Sequence, residues 1–481
     1  MARRPSLIAA FAILAGSSAS HLAAQTSAAP RQLSAHQQLA RDLYKELVEI
    51  NTTTDATPGG TTQAAEAMAA RLRAAGFSGA DVQVLSSGPR DGNLVARLRG
   101  SGSSGRKPIL LLAHLDVVAA LKADWSPDLD PFAFTERDGF FYGRGTADDK
   151  AMAAIFVANL IRMKQEGYVP DRDLIVALTA DEEGGDHNGV EWLLNNKREL
   201  IDAAYALNEG GGGFLKAGKP FVHNVQAAEK VYYDFTFEVR NKGGHSSRPV
   251  RDNAIYRLSS ALGRLERHEF PVTLSPVTKA YFERLAATES GQVAADMRAV
   301  AANPNDAAAA RRLTASPTYN AMLRTTCVAT RLEGGHANNA LPQLARATVN
   351  CRVLPEHDVK DVHATLVRLA GDTAVHVSAV PDARGGPSSP LTDEVLRPIE
   401  RLTNEMWPGV PVIPVMSTGA TDARPLRLNG IPTYGVSGLF GDMDDSRAHG
   451  RDERMLVKSF FDGQEFLYRL VKELATRRPV S

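Results

Sequence analysis

Five short stretches of the chain carry imidazole and carboxylate side chains of the kinds that bind metal ions. Their candidate residues are His114 and Asp116, Asp148, Glu182 and Glu183, Glu209, and His449. Two imidazoles and three carboxylates are enough ligands for two adjacent zinc ions when one carboxylate is shared, and a spare carboxylate can act as general base. The residue types therefore predict a bimetallic centre for hydrolysis.

The elements before these stretches must place them together. The run Pro108–Ala113 is apolar on both faces, which is typical of a central strand in a covered sheet. His114 and Asp116 follow it two residues apart, so their side chains point the same way and the carboxylate can fix the tautomer of the imidazole. A single histidine at a strand end is more often a core residue, so the prediction depends on the whole set.

The acidic stretches also have ordinary explanations. The pair Asp148–Asp149 precedes a predicted alanine-rich helix and could simply cap it. The triplet Asp181–Glu183 follows an apolar strand, and adjacent acids repel one another unless they are solvated or bind cations. Because that strand should be interior, cations are favoured. The glycines after Glu209, Gly210–Gly213, permit either a close backbone approach or a flexible loop.

Length and composition bound the class of protein. A chain of 481 residues exceeds what one hydrophobic core usually supports, so two domains or more are expected. A formal net charge of zero gives no bulk attraction to nucleic acid. Residues 1–24 resemble a signal peptide, which predicts export to the periplasm or the medium and no membrane association after its removal; an uncleaved anchor is the alternative. Cys327 and Cys351 could form one bridge or remain free.

The pattern of predicted elements indicates an α/β fold. Alternating strands and helices predict a catalytic domain built from residues 25–228 and 388–481, with a mixed sheet between helices. Residues 229–387 follow a β-α-β-β-α-β order, which predicts an inserted ferredoxin-like α+β domain. Within that domain, residues 279–321 form an extra, alanine-rich and helical insertion. The last helix is expected to span Arg454 to Ala475.

At this point the motifs resemble a known family. The strings HLD, GRGTADDK, DEE, GGHSSRP, NALP and GATDAR, with a late histidine, stand in the order found in the dizinc metallopeptidases. That family includes acetylornithine deacetylase, succinyl-diaminopimelate desuccinylase, aminoacylase, and the glutamate and vacuolar carboxypeptidases. The resemblance spans about Leu39 to Leu470 and implies a lid or dimerisation role for the inserted domain.

The resemblance also implies a role for each site residue. One zinc would be held by His114, Asp148 and Glu209, and the other by Asp148, Glu183 and His449. Asp148 would bridge the two ions, with a cis peptide bond to Asp149. Glu182 would be the general base, and Asp116 the partner of His114. Co²⁺ or Mn²⁺ could replace zinc.

The remaining roles concern residues that would contact the substrate. By the same resemblance His245 would stabilise the oxyanion, reaching from the small domain or from a second subunit of a homodimer. Arg352, assisted by Asn339, would bind a substrate carboxylate. The expected activity is cleavage of a peptide or N-acyl amide bond next to a free amino-acid carboxylate. The alternatives are a dipeptidase that requires a free amine, and a non-catalytic binding protein on the same fold.

Overall fold

A computed structural model describes residues 32–55, 60–379 and 386–476. The predicted signal peptide, residues 1–24, lies outside the described residues. So does the start of a predicted linker at 382–390. Across the described ranges, every helix is too short or too polar to cross a bilayer.

The strands are short and fall into four sheets. In chain order they are β1 (Val82–Ser86), β2 (Gly92–Leu98), β3 (Ile109–His114), β4 (Thr135–Arg137), β5 (Phe140–Tyr142), β6 (Leu174–Thr179), β7 (Tyr205–Asn208), β8 (Gly213–Lys216), β9 (Lys219–Glu229), β10 (Val231–Arg240), β11 (Gly244–His245), β12 (Thr326–Gly334), β13 (Ala340–Leu341), β14 (Leu344–Val353), β15 (Val375–Ala379), β16 (Val412–Ser417), β17 (Thr433–Gly435), β18 (Phe440–Asp442) and β19 (Arg454–Leu456).

The helices alternate with these strands. They are α1 (Ala35–Glu49), α2 (Thr61–Ala74), α3 (Lys150–Gln165), α4 (Gly189–Asn196), α5 (Arg198–Ile201), α6 (Ala254–Glu266), α7 (Pro276–Leu285), α8 (Gly291–Ala302), α9 (Ala307–Thr314), α10 (Pro317–Leu323), α11 (Val359–Ala370), α12 (Asp393–Met406), α13 (Ala423–Leu428) and α14 (Val457–Ala475).

The large domain is built on a mixed sheet with the order β1-β2-β6-β3-β7-β17-β9-β8-β18, and β16 pairs with β9. Strands β6, β3, β7 and β17 run parallel, while β2 is antiparallel to β1 and β6. Every residue of β3 and β6 is buried. The carboxyl ends of the parallel strands therefore meet at one edge, where open α/β sheets carry their functional residues.

Helices cover both faces of this sheet, as the α/β prediction requires. Alternate residues of β3, such as Leu111, pack with α1, α2, α3 and α14 in the largest apolar cluster. The residues between them, such as Leu110, pack with α4, α5 and α13. Helix α3 is almost wholly buried between the sheet and the outer helices, so its amino terminus is fixed in the interior. The residues just before it are held equally firmly.

The small domain is a four-stranded antiparallel sheet with the order β12-β14-β10-β15, and its own core includes residues of α6 and α11. This is the ferredoxin-like arrangement that the sequence predicts. Strand β12 lies at the sheet edge, and its side chains are largely exposed. Cys327 and Cys351 are directly opposite each other on β12 and β14 and form a disulfide, which resolves the alternatives that the sequence left open.

The helical insertion differs from the expectation. Residues 279–321 fall in helices α7–α10, but their apolar faces belong to the core of the large domain, not to the core of the small one. Tyr281, Phe282 and Met297 are buried in that cluster. Arg284 donates to Glu400 of α12 at 2.7 Å and to the carbonyl of Val412 at 2.9 Å. The placement in the small domain was wrong because position in the chain does not determine which core an apolar helix joins.

Two further elements differ from the sequence-based expectation. The last helix begins at Val457, because Arg454–Leu456 forms strand β19 against β5. Strand β9 enters the main sheet although its buried positions include polar residues such as His223 and Gln226. Those polar residues hide the apolar pattern by which a strand is recognised.

Candidate functional site

Three of the acidic and imidazole stretches lie at the carboxyl edge of the main sheet. His114 is the last residue of β3, Glu182 and Glu183 come shortly after β6, and Glu209 follows β7 directly. His114 is paired with Thr179 of β6 in parallel register. The strand ends therefore bring these side chains to the same edge, as predicted.

Asp148 lies at the centre of the site, immediately before helix α3. Its Oδ1 atom is 3.0 Å from Nε2 of His114, and its Oδ2 atom is 3.2 Å from Nε2 of His449. Each carboxylate oxygen thus faces a different imidazole, which is the arrangement a bridging ligand requires. The peptide bond between Asp148 and Asp149 is cis, as the resemblance implies.

Two groups of three ligand atoms share Asp148. One contains His114, Asp148 and Glu209, the other Asp148, Glu183 and His449, and within each group the ligand atoms lie within 4.8 Å of one another. In the second group His449 Nε2 is 2.8 Å from Oε1 of Glu183. Such spacing suits ions that bind nitrogen and oxygen ligands at about 2.0–2.2 Å. The structure brings together all five predicted ligands and divides them as expected.

His449 comes from a loop far along the chain, and its backbone conformation is unusual. Its φ angle is 61°, in the left-handed region that histidine adopts more readily than most residues. Backbone strain of this kind clusters at functional sites and persists only where its surroundings fix it. The loop geometry thus turns the imidazole toward Asp148 and Glu183.

Asp116 has a different contact from the one predicted. His114 Nδ1 lies 3.0 Å from the backbone carbonyl oxygen of Asp116, whereas the Asp116 carboxylate is 3.8 Å away. That carboxylate instead accepts the backbone N–H groups of Glu182 at 3.1 Å and Glu183 at 2.9 Å. Asp116 therefore orients the imidazole through its main chain and the acidic pair through its side chain.

The electrostatics of the cluster are those of crowded acids. Burial raises the pKa of Glu182 to about 9, and Glu209, Asp422 and Glu183 add to the effect against the opposing charge of His114. Burial and the charge of Asp148 likewise raise the pKa of Glu209 and of Glu183. A cation close to these acids would stabilise their ionised forms.

The pKa values of the two imidazoles are also raised, in their case by the neighbouring carboxylates. Burial lowers the pKa of His114, but its hydrogen bond to Asp148 and the surrounding carboxylates outweigh that effect, so that the pKa lies well above its usual range. The hydrogen bond with Asp148 raises the pKa of His449 to about 9, against a smaller effect of burial. The same two histidines hold the pKa of Asp148 below its usual range despite its burial. Carboxylates and protonated imidazoles thus neutralise each other here.

Glu453 is a functional residue that the sequence did not indicate. Its buried carboxylate accepts Arg144 Nη1 at 2.6 Å and the backbone N–H groups of Gly145, Ala147 and Asp148 at 3.0, 2.6 and 3.2 Å. It therefore fixes the loop that presents Asp148 to the segment that presents His449. Only its position four residues after His449 could have pointed to it.

The segments that carry His245 and Asn339 lie side by side. His245 is in β11, which pairs with β13, and the neighbouring Ser246 N–H donates to the Asn339 carbonyl at 3.0 Å. His245 Nδ1 accepts the Ser247 N–H at 3.1 Å, so the proton resides on Nε2. The His245 side chain is exposed, and in the described part of the chain its hydrogen bonds stay within this loop.

Arg352 connects the two domains. It lies on β14 of the small domain, and its Nη1 donates to the carbonyl of Thr418, just after β16 of the large domain, at 3.2 Å. Its guanidinium also lies over the ring of Tyr232, 4.7 Å from the centroid. The structure thus places Arg352 where the two domains meet.

A cavity of about 670 Å³ adjoins the ligands, with Asp148 and Glu209 in its wall. The glycine run after Glu209 forms another part of that wall. A Cβ atom on Gly211 would lie 2.0 Å from the Gly435 carbonyl, and one on Gly213 would lie 2.1 Å from the ring of Phe440. Of the two explanations for the glycines, the structure supports close backbone approach.

Comparisons with known proteins agree with this geometry. The model of "Peptidase family M20/M25/M40" matches residues 110–473. The human "N-fatty-acyl-amino acid synthase/hydrolase PM20D1" is 29% identical over 398 residues, covering 80% of this chain and 77% of its own length. Rat "Aminoacylase-1A" is 27% identical over 375 residues, covering 76% and 80%.

The fold has solved counterparts. The M20 family metallo-carboxypeptidase Sso-CP2 from Sulfolobus solfataricus superposes with a TM-score of 0.67 at 16% identity, over 91% of this chain and 99% of its own. At that identity the likeness concerns the fold alone. It shows the same arrangement of a mixed α/β sheet domain with a smaller second domain.

Proposed function

Since the chain belongs to peptidase family M20/M25/M40, whose members hydrolyse amide bonds, we propose that it cleaves the amide of an N-acyl-amino acid or a peptide next to a free carboxylate. The observation that carries the proposal is Asp148, whose two oxygens face His114 and His449 separately. A hydrolase that acts on an N-acyl bond is also what the names of the human and rat relatives describe.

Two divalent cations, which we propose to be zinc with Co²⁺ or Mn²⁺ as substitutes, fit the donor set. His114, Asp148 and Glu209 would hold one, and Asp148, Glu183 and His449 the other. When bound, such ions polarise the amide carbonyl and acidify a water molecule. The raised pKa values of Glu183 and Glu209 support this fit, because burying like charges together is costly without a cation.

Glu182 remains as the carboxylate outside both groups. Its backbone N–H is held by Asp116, so its side chain is directed from a fixed point beside the ligands. With two cations bound, their charge would lower the raised pKa of Glu182, and the ionised carboxylate could then accept a proton from the attacking water and return it to the leaving amine. A binding protein would have no need of this extra acid, which argues for catalysis.

Substrate recognition is proposed for the small domain. The Arg352 guanidinium presents paired donors that match a carboxylate, and Asn339 would assist. His245, with its proton on Nε2, can donate to the oxyanion of a tetrahedral intermediate. Because the His245 side chain is exposed and, in the described part of the chain, makes its hydrogen bonds only within its own loop, we propose that it serves the site of a second subunit.

A homodimer through the small domain would supply that subunit. The edge strand β12 exposes Val328 and Leu332, and the adjacent helix α6 exposes Tyr256. An unpaired apolar edge of this kind is a template for an identical edge in a two-fold dimer.

Subunit mixing tests the dimer. His245→Ala and Glu182→Gln homodimers should each be almost inactive, and mixing them should restore about one quarter of wild-type activity, because half of the dimers then carry one intact site of two. Two variants that stay inactive after subunit exchange would contradict donation of His245 from the partner.

Export through residues 1–24 is a separate proposal, tested by sequencing the amino terminus of the mature protein.

A substrate screen tests the activity itself. Protein reconstituted with zinc should hydrolyse N-acetyl- or longer N-acyl-amino acids or dipeptides, and a chelator should abolish the activity until zinc is returned. The methyl esters of these N-acyl-amino acids and dipeptides, which lack the free carboxylate, should be poor substrates. Absence of hydrolysis across all three classes would refute the proposed function.

A further inference from the structure

The motif GATDAR, residues 419–424, supplies none of the proposed ligands, bases or substrate-binding residues, yet its aspartate is buried. Asp422 is 3% exposed and stands at the N-cap position of helix α13. Its side chain makes no capping hydrogen bond within the described residues 423–428 of that helix, so capping does not explain it. A buried carboxylate loses its hydration and needs hydrogen-bond donors from elsewhere in the protein.

Those donors come from the two ends of one loop. Thr179 Oγ1, at the end of β6, donates to Asp422 Oδ2 at 2.9 Å. Asn188 Nδ2, directly before α4, donates to Asp422 Oδ1 at 2.8 Å. Between the two donors lies the acidic loop, residues 180–187, which carries Glu182 and Glu183. Asp422 therefore joins the point where the chain enters the acidic loop to the point where it leaves.

The acidic loop contains no helix or strand of its own, and all of its residues are described. Residues 184–187 are exposed, and Gly184 and Gly185 have φ angles of 135° and 155°, which glycine adopts far more readily than other residues. The two glutamates of such a loop stay in place only through its anchors. Asp116 anchors their backbone N–H groups, and Asp422 anchors the base of the loop.

Asp422 is itself fixed by the segment that leads into the small domain. The hydroxyl of the adjacent Thr421 donates to Oε2 of Glu229 at 3.0 Å and accepts the N–H of Ala423 at 3.1 Å. Glu229 is buried at the end of β9, shortly before β10 of the small domain. The large-domain sheet therefore sets the position of Asp422, and through it the position of the acidic loop relative to the ligands on the same sheet.

We propose that Asp422 is a positioning residue that holds the acidic loop in place, with Glu183 beside His449 and Glu182 beside the ligand groups. The proposal rests on the hydrolase function above and adds a residue to that site. Without the two hydrogen bonds the loop would open at its base. A displacement of about 1 Å at a catalytic group can cost about 100-fold in rate.

Hydrogen exchange of the metal-free protein tests the positioning without an assay of activity. The backbone N–H groups of Glu182 and Glu183 are bound by Asp116, so they should exchange slowly in the wild type. In Asp422→Ala, a peptide that covers the acidic loop should exchange about tenfold faster or more, while peptides of the small domain keep the wild-type rate. No change in the loop, or an equal increase across the whole large domain, would overturn the proposal.

Turnover and zinc binding provide two further readouts. Asp422→Ala should lower kcat for an N-acyl-amino acid about 10–100-fold with little change in KM. It should also weaken one of two zinc sites about 10–100-fold in calorimetry, because Glu183 belongs to only one ligand group. The matched control is Asp306→Ala, which removes an aspartate that does cap its helix, α9, and should leave kcat and zinc affinity at the wild-type values.

Two more variants separate positioning from a general loss of structure. The amide in Asp422→Asn can accept from Asn188 and donate to the Thr179 hydroxyl, so this variant should recover most of the kcat and the slow exchange of the loop. Thr179→Val, which removes one donor at similar volume, should show smaller changes of the same kind, and it serves if Asp422→Ala does not fold. An Asp422→Asn variant as defective as Asp422→Ala would overturn the role of the two hydrogen bonds.

The outcomes also distinguish this inference from the proposed function. Hydrolysis by the wild type, with normal kcat, zinc affinity and loop exchange in Asp422→Ala, would overturn the positioning role and keep the function. No hydrolysis of any substrate by the wild type, with faster loop exchange and weaker zinc binding in Asp422→Ala, would refute the function alone.

Discussion

At the scale of single residues, the site consists of acids whose roles depend on their neighbours. Asp148 faces two imidazoles, whereas Glu182 is outside both ligand groups. We therefore propose different roles for two glutamates adjacent in the sequence, Glu182 as base and Glu183 as ligand. This separation of roles makes single substitutions informative.

The Glu182→Gln variant tests the proton transfer. Because the amide cannot take up a proton, turnover should fall about 10²–10⁴-fold while both metal ions stay bound. The measurement is kcat together with metal content by mass spectrometry. Glu199→Gln, which changes an exposed acid on α5, should match the wild type. Normal turnover in Glu182→Gln would contradict the base assignment.

Arg352 gives a prediction about binding. Removing a charged hydrogen-bonding partner in Arg352→Ala should raise KM for an N-acyl-amino acid about 10–100-fold, with little change in kcat. The matched control is Arg346→Ala, on the same strand, where the side chain pairs with Glu238. An N-acyl amide that lacks the carboxylate should show the same KM in wild type and variant. A defect in kcat alone would count against a carboxylate site.

At the scale of elements, parallel strands and one buried helix position the chemistry. The segments holding Asp148 and His449 are joined by Glu453, a fully buried carboxylate that binds Arg144 and three backbone N–H groups. A buried pair of this kind is expensive to break, since the remaining charge has no partner. Glu453 is therefore a positioning residue for both metal groups.

The Glu453→Gln variant should lose about 3–5 kcal/mol of unfolding free energy, because Arg144 is left buried without its counter-charge. Zinc affinity should fall with it, since Asp148 and His449 lose their common support. Glu465→Gln on α14, which alters a partly exposed ion pair with Arg162 of α3, should change stability by no more than about 0.5 kcal/mol. Urea unfolding and zinc titration provide the two readouts. Equal behaviour of the two variants would disprove the role.

The residues at the strand ends could be predicted from the sequence, whereas the contacts of the connecting segments could be predicted less well. Each of His114, Glu183 and Glu209 follows an apolar run that predicts a buried strand, so their placement at the sheet edge could be predicted. Glu453 could not, because three of its four partners are backbone N–H groups, which leave no trace in side-chain patterns. The insertion at 279–321 was misplaced for a similar reason: amphipathic helices show which face is buried, not against which domain.

At the scale of the whole molecule, we expect the stability of the metal-free protein to depend on pH. Burial raises the pKa of Glu182 to about 9 and raises those of Glu183 and Glu209. The folded state therefore holds protons that the unfolded chain releases, and stability is lost as pH rises above the ordinary glutamate range. His449, with its pKa raised to about 9, adds stability that is also lost as pH rises through that value.

Chelated protein should accordingly melt at a lower temperature near pH 9 than near pH 5, and zinc should stabilise it more at the higher pH, because binding then displaces fewer protons. Melting temperatures measured with and without zinc across this range provide the check. Glu182→Gln should flatten the dependence by up to one proton. A melting temperature of the chelated protein that rises with pH would contradict the electrostatic account.

The central claim is that one carboxylate, Asp148, joins two metal groups. Diffraction from zinc-soaked crystals, recorded at the zinc absorption edge, tests it most directly. We expect two anomalous peaks about 3.5–4 Å apart on either side of Asp148, one beside His114 and one beside His449. A single peak, or peaks away from these imidazoles, would contradict it.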